Sequence, residues 1–324
     1  MKQFVKTFGI PLVMGMVVPY LFLSFGVTLL NRYRAQPQPE ITLQTEIQPQ
    51  EEKVSLPVLF REEDGSVQEM DMDTYLVGVV LAEMPASFEP EALKAQAVVA
   101  RTYAARAART GGKHGDGSVC GLYSCCQAYI APEDYRNSGG TEESIQKVQS
   151  AVDATTDQVV TYQGEPIEAT YFSCSGGVTE DAVAVWGAEY PYLRSVESPG
   201  EENAKWYTDT VRFTAQEFQN RLGVTLAGPP SQWFSGVTYT EGSGVDTMQI
   251  GGVSYRGTDL RMKLGLRSTN FTVEIQEETI VIHTRGYGHR VGMSQYGADA
   301  MALEGKSYEE ILAHYYQGTE LTVF

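Results

Sequence analysis

The chain has 324 residues, with 41 acidic against 24 basic side chains and a formal charge of −17. Such an excess of acid argues against a nucleic-acid partner, which needs a basic footprint, and against broad attraction to anionic lipid or intact anionic polymers. It leaves room for a local basic pocket from Arg101, Arg106 or Arg290, although arginines of this kind usually make structural pairs.

In chain order, residues 7–31 contain no charged side chain and are dominated by Val, Leu, Phe, Met and Gly. At 1.5 Å per residue such a run crosses a hydrocarbon core of about 30 Å, so residues 1–34 are expected to form one transmembrane anchor. A cleaved signal peptide is the competing reading, but the run is long and no small-x-small cleavage site follows it. Lys2 and Lys6 precede the run and Arg32 and Arg34 follow it, so charge alone sets no orientation. Pro11 and Pro19 are tolerated in a membrane helix. Residues 35–53 shift to Gln, Pro, Glu and Thr with little to bury, a flexible linker. Residues 54–324 suffice for one large domain or for two lobes with a cleft between them. No internal repeat is visible.

The apolar run over 74–83 ends in a lone acid, Glu83. Met84 precedes Pro85 and is biased away from helical geometry, so a helix should stop at or near Glu83. A carboxylate there faces the negative end of the helix dipole, and burial would raise its pKa further. A carboxyl kept protonated near neutrality is what glycoside cleavage needs as a general acid. The plain alternative is a solvated acid at a helix end. Residues 91–104 are strong helix formers and predict a second helix, with Glu89 and Glu91 as dipole-favoured starting residues.

Three of the four cysteines lie in Cys120-Gly-Leu-Tyr-Ser-Cys125-Cys126. Thiolates so spaced suit a soft tetrahedral metal such as zinc in a structural role. A disulfide to Cys174 is the alternative; adjacent Cys125 and Cys126 would be strained if bonded to each other. His114 nearby reads as a solvated loop residue.

Farther on the chain becomes more β-like. Residues 158–172 form a hairpin candidate with its turn at Gln163-Gly, and 271–275 and 279–284 alternate at period two and should pair. Helices are expected over 294–303 and 308–316. The fold class is therefore mixed α+β, two lobes about a central cleft, with 214–267 as the candidate second lobe. Tyr171-Phe-Ser-Cys-Ser-Gly-Gly ends in glycines that permit positive φ and close approach of a ligand. Ser173 and Ser175 would meet sugar oxygens and Tyr171 a ring face; a plain tight turn is the alternative. Gly286-Tyr-Gly-His-Arg-Val-Gly-Met-Ser-Gln opens into a helix capped by Ser294 and presents Tyr287, His289 and Gln295, without the context of a phosphate loop. A cysteine peptidase built on Cys174 and His289 is a weak third reading.

Tyr75-Leu-Val-Gly-Val-Val-Leu-Ala-Glu-Met-Pro, followed by Glu91-Ala-Leu-Lys-Ala-Gln-Ala-Val-Val-Ala-Arg-Thr-Tyr, resembles the signature of the stage II sporulation protein D family. The two glycine-rich blocks and the ending Ile311-Leu-Ala-His-Tyr-Tyr-Gln-Gly-Thr-Glu-Leu match it in the same order. The resemblance implies an N-terminus in the cytoplasm and a domain, 54–324, outside the membrane, in the intermembrane space of the sporangium. It implies a lytic transglycosylase that cleaves peptide-stripped peptidoglycan between N-acetylmuramic acid and N-acetylglucosamine. Glu83 would be its acid, and Arg101 and Tyr103 would join the binding residues. It further implies stage II sporulation protein P, the sporulation amidase, as partner. Members are expected to bind zinc through the two outer cysteines and a His; Cys125 stands where that His is expected. Relatives described as amidase enhancers keep a non-catalytic, wall-binding alternative open.

Overall fold

The computed structural model describes residues 57–323. The expected anchor and linker lie outside the described residues, and among these no helix is long and apolar enough to cross a membrane.

Strands β1 (Pro57–Arg61) and β2 (Val67–Asp71) form an antiparallel hairpin. Asp71 then caps helix α1 (Met72–Glu83), accepting the Thr74 N–H at 2.8 Å. This helix is buried on nearly every side and stops at Glu83, because Met84 before Pro85 is extended at φ −128° and ψ 136°. Helix α2 (Pro90–Thr110) starts on a proline and ends at Gly111, which takes φ 87°. It outruns the expected helix because Ala105–Arg109 are all good helix formers and the first left-handed stop is Gly111. Buried alanines along it let α1, α4 (Glu142–Asp153), α8 (Gln295–Leu303) and α9 (Tyr308–Tyr315) pack around it. Between α2 and α4 come β3 (Val119–Cys120), parallel to β1, and the short α3 (Pro132–Asn137).

The second half of this lobe returns from far along the chain. β4 (Gln158–Tyr162) turns at Gln163 and Gly164, both at positive φ, into β5 (Glu165–Pro166). The expected hairpin therefore exists, but its second arm does not reach Phe172. Instead β6 (Tyr171–Phe172) pairs in parallel with β13 (Met293–Ser294), which joins the two glycine-rich blocks side by side. β14 (Glu320–Val323) closes this lobe on the free edge of β4.

A short helix, α5 (Ala182–Trp186), precedes the second lobe. That lobe comprises β7 (Thr208–Phe213), α6 (Ala215–Leu222), the antiparallel sheet β8 (Phe234–Tyr239), β9 (Val245–Ile250) and β10 (Val253–Arg256), then α7 (Gly257–Leu264), β11 (Phe271–Gln276) and β12 (Thr279–Arg285). The 271–275 and 279–284 segments pair as expected, and β7 adds to the other edge of β12. The second lobe is thus wider than 214–267. Each lobe has its own core: one around Tyr75, Leu93, Val98, Val148 and Tyr316, the other around Phe213, Phe218, Trp233, Leu260 and Ile282.

A buried polar joint links the lobes. Arg290 and Glu180 pair at 3.3 Å with 0% and 1% side-chain exposure. The guanidinium also donates to the carbonyls of Ser175 and Val178, each at 2.8 Å, and of Gly242 at 2.5 Å. Thr240, at the tip of the β8–β9 hairpin, donates to the same carboxylate at 2.9 Å, and a Cβ on Gly244 would collide with it.

Candidate active site

A cleft of about 940 Å³ opens over the junction of β6 and β13. Of the residues expected to serve a glycan, it is lined by Glu83, Tyr103, Tyr171, Ser173, Tyr287, His289 and Gln295. α5 adds Trp186 and α7 adds Arg261 and Met262.

Glu83 is the last residue of α1 and is half-buried. Its Oε1 accepts the N–H of Ala128 at 2.6 Å, and the Tyr171 hydroxyl stands between it and Gln127 Oε1, 3.1 Å away. Burial is the leading influence and raises its pKa above the ordinary carboxyl value, against the pull of the Ala128 N–H and Tyr171. Gln127 is itself fixed, donating to the Tyr75 hydroxyl at 3.0 Å and the Ala100 carbonyl at 3.3 Å. A second carboxylate, Glu168, lines the cleft but is held by Arg106 at 2.9 Å.

His289 lies between the rings of Phe172 and Trp186, with centroids 5.7 Å and 5.4 Å away. Its Nδ1 accepts the Val291 N–H at 3.1 Å, so in the neutral ring the proton is on Nε2. Burial brings its pKa down to about 4, which keeps it neutral at physiological pH. A backbone hydrogen bond with Tyr171 opposes that shift without reversing it, and the neutral ring cannot serve as a cationic acid. The close fit of the two glycine blocks explains part of this arrangement: Gly286 has φ 80°, and a Cβ there would lie 2.6 Å from the Ser175 carbonyl.

Two expected site residues are elsewhere. Arg101 is buried on α2, donating to the Thr155 carbonyl at 2.7 Å and pairing with Asp73 at 3.4 Å. Residues two apart on a helix face opposite sides, so with Tyr103 on the cleft Arg101 points away from it. Ser175 is fully buried; its hydroxyl accepts the Gly177 N–H at 2.9 Å, which makes it a turn residue and not a sugar ligand.

Cys174 is buried, and its thiol donates to Glu201 Oε2 at 3.0 Å. The same oxygen accepts the N–H groups of Ser175 at 2.7 Å and Gly176 at 3.2 Å. Burial, with the Glu201 carboxylate beside it, pushes the thiol pKa up, the opposite of what a nucleophile needs. The cysteine-peptidase reading therefore fails. All four cysteines are free, so the disulfide alternative is also set aside.

The other three cysteines gather with a histidine. The ligand atoms of His114, Cys120, Cys125 and Cys126 all lie within 4.8 Å of one another. His114 Nε2 is 3.8 Å from Cys125 Sγ and 3.6 Å from Cys126 Sγ, and those sulfurs are 3.9 Å apart. A zinc tetrahedron with arms of about 2.3 Å has edges of about 3.8 Å, so the four residues fit that ion. His114 is thus a member of the cluster and not a solvated bystander. Only Gln127 separates Cys126 from Ala128, whose N–H holds Glu83.

His114, Gln127, Trp186, Glu201 and Arg261 were not anticipated as part of these sites. His114 had a signal, its closeness to the cysteines; Arg261 had none, because only the fold places it on the cleft with a buried, unbonded Nε.

Residues 61–162 match the family model described as stage II sporulation protein. The chain is 43% identical over 274 residues to stage II sporulation protein D of Bacillus subtilis (strain 168), covering 83% of this chain and 79% of that one. It is 42% identical over 277 residues to the protein of the same name from Bacillus amyloliquefaciens, covering 84% and 80%. The amidase enhancer of B. subtilis is 31% identical over 308 residues, covering 77% of this chain and 40% of the enhancer.

Proposed function

The chain belongs to the stage II sporulation protein D family, and from that premise we propose that it is a membrane-anchored lytic transglycosylase of peptidoglycan. The supporting observation is the carboxyl of Glu83, half-buried in a wide cleft, its pKa raised, with the cleft's other carboxylate already engaged by Arg106. A hydrolase needs a second free carboxylate to act as base or nucleophile. A transglycosylase needs one group acting twice.

In the proposed step Glu83 gives its proton to the glycosidic oxygen as the bond from muramic C1 to that oxygen breaks. The resulting carboxylate removes the proton of the C6 hydroxyl on the same muramic residue, and O6 bonds to C1. The products are a 1,6-anhydromuramic end and a free N-acetylglucosamine hydroxyl, with no water consumed and Glu83 again protonated. The internal nucleophile gains from proximity. Tyr103, Tyr171, Ser173, Tyr287, His289 and Gln295 line the path of the strand.

His114, Cys120, Cys125 and Cys126 would hold zinc, which in this position supplies structure. Cys126 anchors the segment that carries Ala128, and the Ala128 N–H orients Glu83. The preferred substrate is a strand already stripped of peptides by an amidase, with stage II sporulation protein P as the proposed partner. The setting is the intermembrane space of the sporangium during engulfment, the chain being anchored by residues 1–34.

Mass spectrometry of peptide-free strands incubated with the full-length protein and with Glu83→Gln tests this. Anhydromuramic ends from the parent alone are the expected result. Reducing ends would point to hydrolysis and to Glu168 as a base. A folded parent that cleaves nothing would favour a wall-binding amidase enhancer, the reading that the 31% identity to such a protein supports.

A further inference from the structure

Arg261 projects from α7 into the cleft without a partner. Its Nε is buried and makes no hydrogen bond, and none of its nitrogens is paired with an acid or carbonyl among the described residues. Other arginines around the cleft are engaged: Arg106 by Glu168, Arg267 by Asp209, Arg290 by Glu180. The cleft's lysine, Lys113, donates to the Cys125 carbonyl. In a chain with 41 acids and 24 bases, an unpaired guanidinium is not for want of native carboxylates. Desolvation disfavours its charge, yet an arginine stays protonated in water-exposed and half-buried sites alike. A half-desolvated cation facing an open cleft is a site for an anion that arrives with the ligand.

We propose that Arg261 receives the lactyl carboxylate of an N-acetylmuramic residue whose peptide has been removed. The inference rests on the glycan reading above and names the residue that would select the substrate. N-acetylglucosamine is neutral, and a muramic residue that still bears its peptide carries an amide at this position. Only the stripped residue offers two equivalent anionic oxygens next to the ring, which a guanidinium can take as a fork.

The test uses the full-length Glu83→Gln protein, so that cleavage plays no part, and measures binding to peptide-free strands. The same strands with their lactyl carboxylates converted to primary amides are the comparison. The carboxylate form should bind roughly tenfold tighter or more, the worth of one charge-assisted contact. Arg261→Met should bring that ratio close to one, and Arg261→Lys should keep part of it. Because no native partner is lost, Arg261→Met should unfold at no lower temperature than its parent. An undiminished ratio in Arg261→Met, or equal binding of both forms by the parent, overturns the assignment. Tight, Arg261-dependent binding of peptide-bearing strands overturns it too, in favour of stem-peptide carboxylates. If the ratio holds but the wild type cleaves nothing, the transglycosylase reading falls and this one stands. Binding of neither form sinks both.

Discussion

The two lobes bury apolar surface by different means. The first lobe buries rings too, Tyr75, Tyr315 and Tyr316 among them, but around α2 its core uses small and β-branched side chains, such as Ala92, Ala95, Ala97, Val98 and Val99, so helices approach closely and one helix end is fixed to its neighbours. The second lobe packs large rings, Phe213, Phe218, Trp233 and Phe271, against its sheets. Toward the cleft it offers Arg261 and Met262, the latter 76% exposed. The tightly packed lobe holds the acid and the cysteine cluster; the ring-packed lobe lends a long-chained, adaptable wall. Catalysis needs a carboxyl placed to fractions of an ångström, whereas recognition of a polymer tolerates side chains that adjust.

The sharpest test of that division is Glu83→Gln. Cleavage should fall about 10²–10⁴-fold, the worth of a general acid, with stability unchanged or higher. The folded state holds Glu83 at a raised pKa, so it binds more proton than the unfolded chain, and Glu83 opposes folding increasingly as pH rises through that value. A neutral amide lifts that penalty. Thermal unfolding at neutral pH, beside turnover, checks both halves.

Next in size is the joint between the lobes. Arg290→Met leaves Glu180 buried without its cation and should cost about 3–5 kcal/mol in urea unfolding. Adding Glu180→Gln should recover part of the loss. A neutral single variant would mean that the lobes need no such joint.

Chelation should release one metal ion per chain and lower turnover by roughly tenfold through the shift of Ala128. Urea unfolding of the ring-packed core, followed by Trp233 fluorescence, should stay put. Loss of that core's signal on chelation would break the division between lobes.

The smallest effects concern pH. Turnover should fall as pH rises through the raised pKa of Glu83, since the acid must be protonated to act. His289, ordinarily near 6.5 and here about 4, takes up a proton more readily unfolded than folded. Stability tied to it is full above the ordinary value and is lost as pH falls from there toward 4. His289→Gln should flatten that acid limb and leave the alkaline fall in rate where it was.

Much of this was legible in the chain. The stop at Met84-Pro85, the capped helix at Ser294 and the 271–284 pair follow from local rules, and the structure has each of them. What local rules could not supply was direction. Arg101 and Tyr103 belong to one motif yet face opposite sides of a helix, and Ser175 differs from Ser173 because its buried hydroxyl is spent on the Gly177 N–H of its own turn. Cys174 read as a thiol near other thiols but is spent on a buried carboxylate 27 residues on. Arg261 was invisible because a missing partner is a property of the folded surroundings.

The strand pairings also show which parts of the fold depend on distant chain. The ring-packed lobe is continuous from Thr208 to Arg285, whereas β6 has only β13 as a partner and β4 waits for β14. A chain emerging from the N-terminus can complete the later-encoded lobe while the earlier one is still open at its seam. Tyr171, which shields Glu83, finds its neighbour only when Met293 arrives. A chain cut short anywhere before Met293 therefore carries Glu83 and the Ala128 N–H that holds it, but lacks the strand that seats Tyr171 over it.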